Sequence, residues 1–437
     1  MRLILDLVYL LAAAAMAPVV AYRAIRHNRY RTGWRQRFGQ VHRRDPARPC
    51  LWLHAVSVGE VNASKTLVAE LQRQCPDCEI VVSTTTDTGF ARARELFGDR
   101  LEVFYFPFDL SGIVKRAFDR LRPSVCLLME LEVWPNFVDT AWRRDVPVVV
   151  VNGRISDRSF RSYQRARWLL SGTFSRITLA LAQTETYAER FRHLGCPTDK
   201  VVVTGSLKFD TAQTGEVVEG SDVLAAQLAL DNRPLWVAGG TGDEEERPIL
   251  EVYRQLKQDP RLSDLRLAII PRKPERFDQV AQWIEQAGLP LVRYSRIKGS
   301  PERRTLPAEA VILGDTMGDL RKFYSLATVI FVGRSLVPMG GSDMMEAAAL
   351  GIPTLFGPHT FNFRQAVDLL LSAEGAVEVQ DAEHLRCSVE RCLTERQFAR
   401  RIAENGRRVI RENQGATVRT VEQVLRLLPS HGPGRGY

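Results

Sequence analysis

The sequence predicts an α/β protein made of two doubly wound βα domains facing each other across a cleft. Three observations carry that prediction. From Leu51 onward, short and wholly apolar runs alternate with amphipathic stretches, as strands buried on both faces alternate with crossover helices. The alternation lapses once, over residues 210–232 (DTAQTGEVVEGSDVLAAQLALDN), and then starts again. Many of the runs end in glycine or polar turns, and in such sheets ligands sit outside the carboxyl ends of the strands. A chain of 437 residues with ordinary apolar content can fill two such cores.

In chain order, residues 1–22 come first. Leu3–Tyr22 (LILDLVYLLAAAAMAPVVAY) is long enough to cross a bilayer core and is broken only by Asp6 and Pro18. Its alanine and valine content makes insertion marginal, so an anchor lying in the interface is equally open. Residues 23–49 form a basic neck. The first 49 residues hold ten arginines against two acids, +8 of the net charge of +9. Eight arginines from Arg23 to Arg44 without one acid oppose export and favour a cytoplasmic location for that side. With Trp34 and Phe38 among them they suit anionic membrane lipids. The nearly neutral remainder argues against a nucleic-acid partner. The seven scattered cysteines form no disulfide framework or four-ligand zinc spacing; reduced thiols are expected, Cys75-Pro-Asp-Cys78 included.

The first βα domain is expected over 50–209, with strands at 51–54, 79–84, 101–106, 124–129, 147–151, 179–183 and 201–204. Helices fall between them at about 87–97, 111–121, 135–144, 159–176 and 185–194. The linker 210–232 leads to a second domain over 233–428. Its strands are expected at 234–239, 265–270, 311–313, 329–333, 353–356 and 376–379, with a helical tail from Ala382 and a flexible end at 429–437.

The chemistry-bearing residues sit in the turns. In Leu51–Gln74 a strand, a small-residue turn and a helix follow one another, and Glu60 stands where the helix begins. Ser57-x-x-Glu60 has capping-box spacing, so Glu60 is either a cap or a general base at the strand edge. As a base at a helix N-terminus it is expected to have a lowered pKa. Glu130 and Glu132 end a buried strand in Met129–Asn136, and Lys208 ends the last strand before the linker; ion pairing is the alternative for each.

Four turns of the second domain share a design. Gly239–Gly242 precedes four acids, which suit a helix start. In Pro271-Arg272-Lys273-Pro274 the cations oppose a helix dipole, a conflict that a bound phosphate would resolve; solvated surface charge is the alternative. Gly314–Leu320 holds Met317, Gly318 and Asp319. Gly333–Glu346 is a glycine-rich loop ending in Asp343, Met344, Met345 and Glu346, with Glu346 either accepting from ribose hydroxyls of a nucleotide or serving as a helix-start charge. No cluster of metal ligands is expected at these turns.

As a set, LWLHAVSVGEV, MELEVWPN, TGSLKFD, PRKPERF, GDTMGDL and VPMGGSDMMEAAALGIPTLFGPHTFNF resemble the Kdo (3-deoxy-D-manno-octulosonic acid) transferases, in order and over the chain to about residue 425. The resemblance implies a GT-B glycosyltransferase with Rossmann-like domains, held at the cytoplasmic face of the inner membrane, moving Kdo from CMP-Kdo to the lipid A precursor in lipopolysaccharide core biosynthesis. It implies Glu60 as base and Glu130 and Lys208 as transition-state stabilisers. It also implies CMP contacts from Pro271, Arg272, Met317, Gly318, Asp319, Asp343, Met344, Met345 and Glu346. Three nucleotide-side turns depart from the family pattern: Ser342–Glu346 stands for His-Asn-Pro-Leu-Glu, Lys273 for a histidine, and GGTGDEEE for a Ser-Thr-His turn. A different nucleotide sugar, or a membrane-bound binder without catalysis, are the alternatives.

Overall fold

The computed structural model describes residues 32–215, 218–231, 233–299, 306–307 and 309–428, with residues 5–11, 14–15, 18 and 22 ahead of them. They form two units: residues up to Thr211 together with those from Gln414, and Ala212–Asn413.

The first unit is built on seven parallel strands, β1 (Cys50–His54), β2 (Glu79–Thr84), β3 (Glu102–Tyr105), β4 (Val125–Met129), β5 (Val148–Gly153), β6 (Leu179–Ala182) and β7 (Val201–Val203). They lie in the order β3-β2-β1-β4-β5-β6-β7. Alternate residues divide between two cores. Trp52, Cys126, Leu128 and Val150 face one, while Leu53, Leu127, Met129 and Val151 face the other. A sheet buried on both faces has no polar stripe, which explains why its strands read as unbroken apolar runs.

The second unit repeats the plan with β8 (Leu235–Thr241), β9 (Arg266–Pro271), β10 (Leu291–Arg293), β11 (Val311–Leu313), β12 (Val329–Val332), β13 (Thr354–Phe356) and β14 (Val377–Glu378). Their order is β10-β11-β9-β8-β12-β13-β14, again all parallel. β10 is absent from the sequence expectation; it is a three-residue, half-buried edge strand whose apolar run stops at Arg293.

Several expectations change. The stretch read as linker contains a helix, Ser221–Gln227. The last helix, Ala416–Leu425, returns to the first unit, where Val421 and Val424 pack with Leu67 and Leu71 of the Val58–Gln74 helix. Cys75 and Cys78 are joined rather than reduced: a tight turn, closed by a hydrogen bond from Cys78 N to Cys75 O of 3.1 Å, brings their Cα atoms to 5.5 Å.

Much of the expected anchor, Arg23–Arg31 of the neck and the tail 429–437 lie outside the described residues. Among the described residues no helix is long and apolar enough to cross a membrane. Asp6, which looked like an interruption of an apolar run, has a structural task. The Ser111–Leu121 helix lacks a side-chain cap of its own, and Asp6 accepts from Ser111 N at 2.9 Å and from the Ser111 hydroxyl. It also accepts from Asn136 Nδ2 at 3.0 Å, and Tyr9 donates to Asp109 at 3.1 Å. Leu7, Val8, Leu10 and Leu11 remain exposed.

The later neck arginines are part of the fold. Arg37 is buried, donates to Thr85 O at 3.0 Å and lies 4.2 Å over the Tyr105 ring. Arg43 pairs with Glu79 at 3.1 Å and donates to Leu121 O at 2.8 Å. Arg44 donates to Gly98 O and Leu101 O. The Arg37 and Arg43 guanidinium groups are occupied inside the protein, whereas the Arg44 side chain stays exposed.

Candidate active site

The chain of the first unit runs outward from β1 through β2 to β3 and then crosses to the other side of β1 to begin β4. The winding thus reverses between β1 and β4, and in sheets of this kind ligands bind outside the carboxyl ends of the strands at that switch point. The loop after β1 carries Glu60 and the loop after β4 carries Glu130 and Glu132, so topology alone gathers three carboxylates from two distant stretches.

Glu60 is 9 % exposed and lies in the first turn of the Val58–Gln74 helix. Ser57 caps that helix by accepting from Glu60 N at 3.3 Å. The Glu60 carboxylate in turn accepts from the Ser57 hydroxyl at 2.8 Å and from Val56 N at 2.9 Å. The cap expected from spacing is therefore present, and it holds the carboxylate in one orientation. Its pKa moves up, opposite to the helix-dipole expectation: burial is the largest cause, and the nearby Glu130 charge adds to it against the hydrogen bonds from Val56 and Ser57. Desolvation of a carboxylate outweighs a local dipole here. A raised pKa makes a stronger base once the proton is gone.

Glu132 is pushed up to about 7, again mainly by burial, then by the Glu60 and Glu130 charges. It accepts from Trp134 Nε1 at 3.1 Å. Glu130 has a left-handed backbone, φ 52°, and its N–H donates to Val151 O at 3.0 Å across to β5. Lys208 is half-buried in the short Leu207–Asp210 helix. Its neighbour Asp210 caps the last helix, accepting from Gly415 N at 2.7 Å and from Thr417 N.

Buried polar atoms without partners also gather at this edge: His54 Nε2 at the end of β1, Thr84 Oγ1 at the end of β2, Asn152 Nδ2 near the end of β5 and Thr204 Oγ1 just after β7. Each such group in a native fold calls for an explanation, and a bound ligand is one. His54 stacks on Phe106 at 3.7 Å, and burial pushes it down to about 3, so it is neutral at ordinary pH. Residue type gives no reason to single out His54 or Asn152; their common signal is position, at the carboxyl ends of buried strands.

In the second unit the winding reverses between β8 and β12. Gly240, at φ 66°, comes so close to Ser342 that a Cβ would lie 2.6 Å from its hydroxyl, and Ser342 donates to Gly240 O at 2.7 Å. Glu245 fastens the same two loops, accepting from Gly242 N at 3.0 Å, Ser335 N at 2.8 Å, Leu336 N at 2.9 Å and Arg334 N. Of the residues expected at a nucleotide, Arg272 is exposed just beyond Pro271, the last residue of β9. Glu346 is pushed up to about 7 by burial and by Asp343, against the Arg321 and Arg272 charges, which places these groups together. Asp343 caps its helix, accepting from Met345 N at 2.9 Å, and Met344 and Met345 are buried. Met317 is exposed and Gly318 stands open, whereas the Asp319 carboxylate is held by Lys298 at 2.5 Å, Thr316 at 2.7 Å and Lys322 at 3.1 Å. Tyr324, fully buried with an unpartnered hydroxyl, packs where Gly239 lacks a side chain.

A family model described as 3-deoxy-D-manno-octulosonic-acid transferase (kdotransferase) matches residues 32–211. A 3-deoxy-D-manno-octulosonic acid transferase of Haemophilus influenzae is 34 % identical over 403 residues, 91 % of this chain and 92 % of the relative. The chain belongs to the 3-deoxy-D-manno-octulosonic acid transferase family. A Kdo transferase of Bordetella pertussis is likewise 34 % identical, over 95 % of this chain and 97 % of that one. Among solved structures, Acinetobacter baumannii MurG has the same fold, with a TM-score of 0.54 at 14 % identity over 87 % of this chain and 99 % of that one. The two seven-stranded units are thus the GT-B fold of a Kdo transferase family member, as the motifs implied.

Proposed function

We propose that the protein is an inverting glycosyltransferase that moves Kdo from CMP-Kdo to a hydroxyl of the lipid A precursor, with Glu60 as the general base. The observation that carries this reading is the Glu60 carboxylate: buried, held by Val56 N and the Ser57 hydroxyl, and raised in pKa at the switch point of the first unit. Glu60 takes the proton of the acceptor hydroxyl as its oxygen attacks the anomeric carbon. The bond to CMP breaks, and the electron pair leaves with the phosphate. That centre is tertiary, so positive charge builds on the sugar as negative charge builds on the phosphate. Glu130 opposes the first and Lys208 the second. One base on the acceptor side suits a single displacement.

An anionic lipid acceptor and a location at the cytoplasmic face of the inner membrane fit the exposed surface of the first unit. The Asp157–Arg165 helix, which follows β5, buries none of its residues. It and its flanks expose Arg158, Arg161, Arg165, Arg167 and Trp168. Leu7, Val8, Leu10 and Leu11 are exposed, as is an aromatic group in which Trp34, Phe38 and Phe108 lie about 6 Å from one another. Basic helices and exposed aromatics suit an anionic interface.

Incubation of the purified protein with CMP-Kdo and a lipid A precursor, read by product mass, tests the reading. One added Kdo or more is expected. Transfer from another nucleotide sugar with none from CMP-Kdo replaces the donor, and no product from any donor overturns the enzymatic reading.

A further inference from the structure

We infer that Asn152 is a positioning residue that holds the Lys208 turn against the strand end carrying Glu130. The inference rests on the reading above, in which Glu130 and Lys208 serve the transfer.

β4 and β5 pair with Met129 opposite Val151, so Glu130 and Asn152 are the next pair beyond the regular register. Both adopt the left-handed backbone, at φ 52° and φ 55°. Side chains rarely take that conformation, asparagine more readily than most. On its other side, β5 loses regular pairing with β6 between Val150 and Gly153. The turn therefore lifts Asn152 out of the ladder while leaving it fully buried.

Its side-chain oxygen accepts from Leu207 N at 3.0 Å, and its backbone oxygen accepts from Gln183 Nε2 at 2.9 Å. Leu207 is the first residue of the Leu207–Asp210 helix, which has no side-chain cap hydrogen bond at Ser206. Asn152 thus satisfies a helix-start N–H from a distant strand, one residue before Lys208. Among the described residues nothing pairs with the Lys208 ammonium, so its direction depends on the seating of that short helix.

The bond to Leu207 N–H also fixes which end of the amide is oxygen. Nδ2 must point elsewhere, and it has no partner although it is buried. An asparagine serving only to stabilise the turn would satisfy both ends, since a buried unpaired donor costs free energy. The spare donor lies at the edge where the other unpartnered polar atoms gather, beside the strand end bearing Glu130.

A double-mutant cycle tests this. Asn152→Gly keeps the left-handed turn available and removes the acceptor for Leu207 N. It is expected to lower kcat about 10- to 100-fold, the scale of a misplaced catalytic group, with KM for CMP-Kdo unchanged. In that background, Lys208→Ala should cost almost nothing further, although it is costly alone. If the glycine variant does not fold, Leu207→Pro removes the same N–H at a helix position that tolerates proline, and the cycle is run there. Independent, multiplying losses, or a glycine variant with wild-type turnover, overturn the positioning role. A wild-type rate in Lys208→Ala alone refutes the part given to Lys208, and the inference with it. A wild-type protein that moves no Kdo refutes the transferase reading itself.

Discussion

Glu60→Gln separates the two tasks that the structure gives this carboxylate. The amide fits the same pocket. Its oxygen can accept from Val56 N, 2.9 Å from the present carboxylate, and its nitrogen can donate to the Ser57 hydroxyl, 2.8 Å away. The lost charge assistance in those bonds is offset by no longer burying a charge, so the change in stability should stay near about 1 kcal/mol. Loss of a general base costs roughly 10²–10⁴-fold in rate, or about 3–5 kcal/mol of barrier. Turnover should therefore collapse while the unfolding curve barely moves. The pH profile gives a second reading. The wild-type rate should climb as Glu60 loses its proton, on a limb displaced to higher pH because burial and Glu130 raise its pKa. In the variant that limb should vanish. Parallel rate and pH measurements with CMP-Kdo and the lipid acceptor check both. Wild-type turnover in Glu60→Gln, or an unchanged limb, would return Glu60 to capping alone.

Glu132, with a pKa raised from 4.5 to about 7, keeps its proton in the folded state where the unfolded chain releases it. Its contribution is complete below the unfolded value and is lost as pH rises through the folded one, by up to about 3 kcal/mol. Glu132→Gln should match wild type in denaturant unfolding near about pH 4 and exceed it near about pH 8. Arg37→Gln should cost about 1–3 kcal/mol, since it removes the bond to Thr85 O and the contact with Tyr105. The exposed Arg35→Gln should cost under about 0.5 kcal/mol by the same melt. Arg272→Ala should raise KM for CMP-Kdo by about 10- to 100-fold and leave the acceptor KM unchanged, as expected of a phosphate contact. Protein lacking residues 1–22 should still bind anionic vesicles at low salt through Arg158, Arg165, Arg167 and Trp168, and release them as salt shortens the screening length. Indifference to charged vesicles at low salt would remove that helix from the membrane surface.

What the sequence determined by itself was the set of local states. All seven strands of the first sheet were legible because each carries a run of apolar or β-branched residues, most of them covered on both faces. β10 was not: its apolar run is only Leu291 and Val292 before Arg293, without the β-branched triplet that marks the equally short β7. The turns holding Glu60, Glu130, Lys208 and Glu346 were legible too, since glycine, capping residues and a charge after an apolar run mark a strand end whatever surrounds it. Only the tertiary structure decided which of these ends meet. The crossing from β3 to β4 sets the Glu60 and Glu130 loops at one switch point, and no local spacing encodes that adjacency. Burial belongs to the same level. The helix dipole at Glu60 is readable from the sequence and points toward a lowered pKa, but the desolvation that reverses it comes from side chains distant along the chain. Arg37 and Arg43 look like a free basic neck until Tyr105, Thr85 and Glu79 close around them. Asn152 looks like one turn residue among many until Leu207, far along the chain, supplies the N–H its side chain accepts. A residue's conformational preference is a property of its neighbours in sequence, whereas its charge state and its partners are properties of its neighbours in space.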